Sequence, residues 1–319
     1  MEATVYDAQG VSYTLPTLLR FEFSHGFCSP CDSFELTFLY DSTGLSALQR
    51  ACRVAAYHEG TQVFAGVVDE FEAAAEAAGC LVTLRGRGLQ ALLLDSEAPA
   101  ADYLSADTDF ILSRHARALG VNDIQTGSAN GSAALSVDTG ESHWSVVQRF
   151  CEFCLGLRPR FTPAGTLLLD GMSGGRQLVI DDSVPVTAQT FAQERYGVIS
   201  EITVRSRARY GGSVTVKNES FAALGGQCAR VLSVPRTVGF DAMRHTGAYR
   251  IEKSGADFLR CRITLPQLFA AFPGDRVTLA HSPLGITGEF FVSASRSYAD
   301  GDSAGTVLEL RQDYQPTIR

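Results

Sequence analysis

The chain has 319 residues, 45% of them hydrophobic and 19% charged, with a formal net charge of −8. That length supports two or three domains with a substantial core in each. No run approaches the roughly 20 apolar residues that span a bilayer, and the start, Met1-Glu-Ala-Thr-Val, lacks the basic and apolar regions of a signal peptide. Folding in the cytosol without membrane insertion is therefore expected. The basic residues are scattered, which argues against a surface that grips phosphates, although an acidic surface can let nucleic acid slide past.

Eight cysteines in a cytosolic chain are expected to stay reduced. Two Cys-x-x-Cys pairs, Cys28/Cys31 and Cys151/Cys154, each have the spacing of half a zinc site. About 120 residues separate them, far more than in compact zinc modules. Cys151 and Cys154 also fall on the apolar stripe of a helix with Trp144, Val147 and Phe150, where a free thiol packs as a small hydrophobe. No metal is assigned.

In chain order, Leu19, Phe21 and Phe23 alternate with Arg20, Glu22 and Ser24, and Phe34, Leu36 and Phe38 alternate with Glu35 and Thr37. Such period-two alternation predicts half-buried strands. Further strands are expected at Val54–Tyr57, Gln62–Asp69 and Leu81–Gly86, enough to close a small barrel before residue 90. Tyr103 to Leu119 reads as one helix, capped by Ser105 or Asp107 and stopped at Gly120. A second helix runs from Ser142 to about Leu155 with Gly156 as its stop, and Phe161 to Asp170 reads as strand, turn and strand. After Gly174-Gly175 strands return at Val198–Arg205, Ser213–Lys217, Leu259–Leu265, Arg276–Ala280, Glu289–Ser295 and Thr306–Gln312. Residues 206–256, richer in glycine, read as an irregular excursion.

One unit occurs twice. Phe64-Ala-Gly-Val-Val-Asp-Glu leads through an Ala-rich connector to Gly79-Cys-Leu-Val-Thr-Leu-Arg85, and Phe290-Phe-Val-Ser-Ala-Ser-Arg leads through Tyr298 to Ala304 into Gly305-Thr-Val-Leu-Glu-Leu-Arg311. The repeat predicts a duplicated barrel. The expected fold is mainly β with an α+β insert: a first tube-type β-barrel over 1–98, a small two-helix α/β domain over 99–175, and a second barrel over 176–319 that carries the excursion at about 206–256.

The ordered set of Asp32-Ser-Phe-Glu, Phe64-Ala-Gly-Val-Val-Asp, Leu92-Leu-Leu-Asp-Ser-Glu-Ala, Asp109-Phe-Ile-Leu-Ser-Arg-His-Ala-Arg-Ala-Leu-Gly, His143-Trp-Ser-Val-Val, Arg195-Tyr-Gly-Val-Ile-Ser-Glu and Phe272-Pro-Gly-Asp-Arg-Val resembles the baseplate hub proteins of contractile phage tails, the late-control protein D family and its Mu-like and prophage relatives. The resemblance covers nearly the whole chain. It implies a homotrimer whose six barrels form a ring, joining a hexameric tail tube or tube-initiator protein to a trimeric central spike among other baseplate proteins. DNA would pass through the channel without specific binding. The location implied is the virion tail baseplate, assembled in the bacterial host cytoplasm, with any spike or lysozyme on a separate chain.

The alternative is a tail-associated cell-wall hydrolase, which needs a nucleophile with a base or paired carboxylates across a cleft. The six histidines, His25, His58, His115, His143, His245 and His281, lie in no nucleophile motif. His115, between Arg114 and Arg117, reads as a surface or interface residue, and His143 as part of a helix cap. Glu70, Glu72 and Glu76 read as a solvated face, Asp181-Asp182 as an exposed turn, and Gly171-Met-Ser-Gly-Gly as a turn without the Gly-Lys-Ser/Thr ending of a phosphate loop. No catalytic, cofactor-binding or metal residue is assigned, and a structural protein, not an enzyme, is expected.

Overall fold

The computed structural model describes all residues except 28–30, 41–44, 77–78, 172–173, 208–210, 235–238, 257, 281, 313–317 and 319. The chain begins with β1 (Glu2–Tyr6), β2 (Ser12–Thr14), β3 (Leu18–Gly26), β4 (Ser33–Leu39), the short helix α1 (Leu45–Gln49), β5 (Arg53–His58), β6 (Thr61–Glu76), β7 (Gly79–Gly88) and α2 (Ala91–Leu94). Next come β8 (Ala101–Asp107), α3 (Thr108–His115), β9 (Ile124–Gln125), β10 (Ser132–Val137), α4 (His143–Phe150), β11 (Arg160–Phe161), β12 (Leu167–Leu168) and β13 (Gln177–Ile180). The remainder is β14 (Ala188–Gln193), β15 (Glu201–Ser206), β16 (Ser213–Lys217), α5 (Glu219–Ala223), β17 (Ala229–Val234), α6 (Phe240–Ser254), β18 (Leu259–Leu265), β19 (Arg276–Leu279), β20 (Gly288–Asp300) and β21 (Ser303–Arg311). The fold is mainly β. It divides into one unit of Met1–Ala188 with Ile263–Glu309 and another of Gln189–Arg262 with Leu310–Arg319.

In the first unit the strands run in the order β21-β20-β3-β4-β7-β6-β5-β1-β2, and β19 pairs with both β20 and β13. Alternation decides which side each residue faces. Phe21, Phe23, Phe34, Leu36, Phe38, Val82 and Leu84 are buried in one cluster with Phe64, Val54 and Val5. Each such large side chain contributes about 1.5–3 kcal/mol when removed from water. The order β4-β7-β6-β5 recurs as β18-β21-β20-β19, so the hairpin repeated in sequence is repeated in topology. The Ala-rich stretch read as a connector is strand: Phe71 to Glu76 continue β6 opposite Leu84 to Gly79.

The helix expected from Tyr103 does not start there, because residues 101–107 are strand. They form a two-stranded ribbon with β10, and the helix begins only at Thr108, where Asp107 accepts from the Phe110 amide at 2.8 Å. The ribbon partner lies about 30 residues away, so its pairing overrides a weak local helical pattern. The second helix starts as expected at Ser142, whose hydroxyl accepts from the Ser145 amide. It widens into a π turn over Cys151–Leu155 and stops at left-handed Gly156. Ile111, Leu112, Val146, Val147, Phe150 and Cys151 form the core of this insert.

A buried turn joins three distant segments of the first unit. Asp275 accepts from the backbone amide and guanidinium of Arg176, at 2.9 and 2.6 Å, and from the Phe272 amide at 3.0 Å. Arg160, itself bonded to Asp170, donates to the Pro273 carbonyl. Gly274 is held at φ +98°, and a Cβ there would lie 2.8 Å from the Arg160 guanidinium carbon. Amides of Gly274 and Val292 then pair the turn with β20.

In the second unit β16-β15-β17 make a three-stranded sheet. Ile202, Val204, Val214, Val216 and Val234 pack with Met243 and Ile251 of α6 in one core. The stretch 206–256, expected to be irregular apart from the strand at Ser213–Lys217, thus also holds β17, the short α5 and the 15-residue α6. Gly247 interrupts the helical pattern in sequence because a Cβ there would sit 2.7 Å from the Val216 methyl.

Asp275→Asn turns one acceptor into a donor facing the Phe272 amide, and should lower stability by about 2 kcal/mol. Gly274→Ala, strained in φ and in space, should act in the same direction. Urea denaturation followed by fluorescence of Trp144, the sole tryptophan, measures both.

Candidate functional site: a charged sheet face

The polar face of the large sheet collects charge by register. Tyr298 lies opposite Glu22, Glu22 opposite Glu35, Glu35 opposite Arg85, and Arg85 opposite Glu70, across β20, β3, β4, β7 and β6. Residues two apart on a strand share a face. The neighbouring rows are therefore Ser24, Ser33 and Arg87 on one side, and Arg20, Thr37 and Thr83 on the other.

Glu22 and Glu35 stand directly opposite each other, a position in which like charges repel. Arginines on the flanking strands offset this: Arg296 reaches Glu22 at 2.6 Å and Arg85 reaches Glu35 at 2.9 Å. Arg85 also donates to Glu72 at 3.0 Å and lies 3.6 Å from Glu70. Arg87 forks onto Asp69, at 2.7 and 2.9 Å, and onto Asp95, at 2.8 and 2.7 Å. Asp69 is the extra residue of a bulge between Val68 and Glu70, and a bulge re-aims its side chain. Arg20 pairs with Asp300 at 2.9 Å.

Among the described residues these pairs gather seven carboxylates around four guanidiniums. Glu22, Glu35, Asp69, Glu70, Arg85 and Arg87 line an open groove of about 590 Å³. The Arg296 hydrogen bond holds the Glu22 carboxyl below its usual range against the opposing effect of burial, and the Arg87 hydrogen bond does the same for Asp95. The hydrogen bonds that Arg85, Arg87 and Arg296 donate to these carboxylates raise the guanidiniums in turn. The guanidiniums are engaged and the formal surplus is negative, so the face disfavours an approaching phosphate chain.

Glu70 and Glu72 are exposed members of this face, and Glu76 ends β6. Asp181 is exposed and accepts from the Ser183 amide and hydroxyl, which hold its carboxyl below the usual range. Met172 and Ser173 lie outside the described residues, while the Gly171 carbonyl accepts from Arg160. Cys28 and His281 also lie outside them. Burial pushes the Cys31 and Cys151 thiols up to about 12, Cys31 helped by Asp32 and Cys151 by Cys154. Among the described residues no group of three or more His, Cys, Asp or Glu is placed to hold a metal ion, and no helix is long and apolar enough to cross a membrane.

Two histidines depart from their sequence reading. His115 is fully buried rather than exposed, and His143, whose neighbour Ser142 is the cap, is buried against it. Their Nδ1 atoms are 3.0 Å apart, and His115 Nε2 is 3.2 Å from the Tyr103 hydroxyl. Arg114 Nε donates to that hydroxyl as well. One of the two facing Nδ1 atoms must carry the proton that the other accepts, and the Glu97 backbone accepts from His143. Protons on both Nδ1 atoms would break the link between the two rings. Burial, with the charges of His143 and Arg114, lowers His115 to about 4, and burial lowers His143 against the opposing Glu97 bond. In sequence only the flanking arginines are visible, and they point outward.

No family model and no curated protein matches the chain. Solved structures do. A tail protein from Neisseria meningitidis MC58 superposes with a TM-score of 0.78 at 18% identity, covering 98% of this chain and 96% of that one. The 43 kDa tail protein of prophage MuSo2 from Shewanella oneidensis gives 0.75 at 13% identity, covering 97% of each. An E. coli component of the type VI secretion system, itself structurally similar to the T4 bacteriophage tail proteins gp27 and gp5, gives 0.60 at 11% identity over 93% of this chain and 74% of that one. The chain has the fold of phage tail proteins.

Because the folded His115 and His143 hold protons less tightly than their ordinary value of 6.5, the stability of the first unit is fully present above that pH. It should fall as pH drops toward 4, by about 1–2 kcal/mol between pH 7 and pH 5. Urea midpoints followed by Trp144 should show the slope, and His143→Gln should flatten it. Arg85→Ala, which leaves Glu35, Glu70 and Glu72 facing one another, should cost about 1 kcal/mol at low ionic strength, and less in high salt.

Proposed function

We propose that this chain is a structural baseplate hub of a contractile tail. Three copies form a ring that joins a hexameric tail tube, or its initiator, to a trimeric central spike, beside other baseplate proteins. The observation that carries this reading is the strand order β4-β7-β6-β5 recurring as β18-β21-β20-β19 within one chain. Two equivalent β units per subunit let three subunits present six similar elements, matching sixfold symmetry on one side and threefold on the other. The likeness to phage tail proteins over nearly the full length supports the same reading.

In this arrangement the charged sheet face lines the channel. DNA is repelled from its carboxylates and passes without specific binding, and the protein belongs to the virion baseplate after assembly in the host cytoplasm. The role is architectural, not enzymatic. A glycosidase reading requires one carboxyl that keeps its proton as general acid, whereas arginines hold Glu22 and Asp95 below their usual range.

Light scattering of the purified chain tests the assembly. The expected mass is three times 34.3 kDa. A chain that stays monomeric, both alone and when mixed with tube and spike proteins, overturns the hub reading.

A further inference from the structure

Inside the first unit, His25 on β3 and the half-buried His58 at the end of β5 line one narrow, partly open space of about 20 Å³, walled by Phe23, Val63 and Phe272 and edged by Ser297. The His25 side chain is only 4% exposed. Its Nδ1 is 3.0 Å from Asp32 Oδ2, and the other Asp32 oxygen accepts from the Gly26 amide. A carboxylate accepting at both oxygens fixes the His25 proton on Nδ1. His25 Nε2 is then the free ring nitrogen, and it and His58 Nδ1 are both buried with no protein partner in residues that line the space. The Ser297 hydroxyl, 3.3 Å from Thr306 Oγ1, has bonding capacity left for a third contact.

Apolar cavities stay dry, but a polar one needs only about 10–15 Å³ and two to four partners to hold a water molecule. Two imidazoles without a third ligand are too few for a zinc site. We propose that one water molecule bridges His25 Nε2 and His58 Nδ1, with Ser297 as its third partner. β3 and β5 do not pair with each other: β4, β7 and β6 separate them in the sheet. The water therefore ties two strands that meet only because the sheet curls, and it fixes that curl from inside the core.

The test is a high-resolution crystal structure of the full chain near neutral pH, with oxygen-17 relaxation dispersion to count long-lived internal waters. The expected result is one density peak about 2.7–3.2 Å from both nitrogens, without anomalous signal, and the loss of one long-lived water in His58→Phe. An unfilled space, a metal in that position, or an unchanged water count in a folded His58→Phe overturns the proposal. The wild-type density decides the matter even where that variant does not fold.

Discussion

The buried Asp275 carboxylate is the point from which the first unit is organised. It accepts from Arg176 and Phe272, and its turn receives Arg160 from the insert and pairs with β20. A carboxylate so enclosed is tolerated only when its oxygens are bonded, so these segments must arrive together for any of them to be stable there. The consequences are geometric. Arg160 leaves no room for a side chain at position 274, and a Cβ at Gly175 would lie 1.8 Å from the Gly274 carbonyl oxygen.

From that anchor β20 extends along β3, and its Arg296 and Tyr298 complete the charged face begun by β4, β6 and β7. The exposed pairs of this face contribute little stability individually. Their effect is to let carboxylates stand in adjacent rows without splitting the sheet, while engaging the guanidiniums that would otherwise attract phosphate. A phage-tail fold with such a face fits a surface that a polyanion must pass, which is why the proposed hub places it toward the channel.

Much of the first unit was legible in the sequence because its signals are local. Alternation in β3, β4 and β7 depends only on which side is buried, and Asp107, Ser142, Gly120 and Gly156 mark helix ends through backbone chemistry. What escaped is non-local. β8 is a strand only through β10, and α6 is hidden by Gly247, whose reason lies on β16. The burial of His115 depends on α4 arriving from 28 residues away. The charged face was half legible: alternation puts Glu22, Glu35 and Arg85 on the polar side, but only register makes them neighbours.

The most direct measurement is electron cryo-microscopy of the assembled chain. The expected particle is a ring of three chains with the face bearing Glu22, Glu35, Arg85 and Arg87 turned toward a central opening. A particle in which that face points outward, or is sealed against a neighbour, would contradict the hub reading.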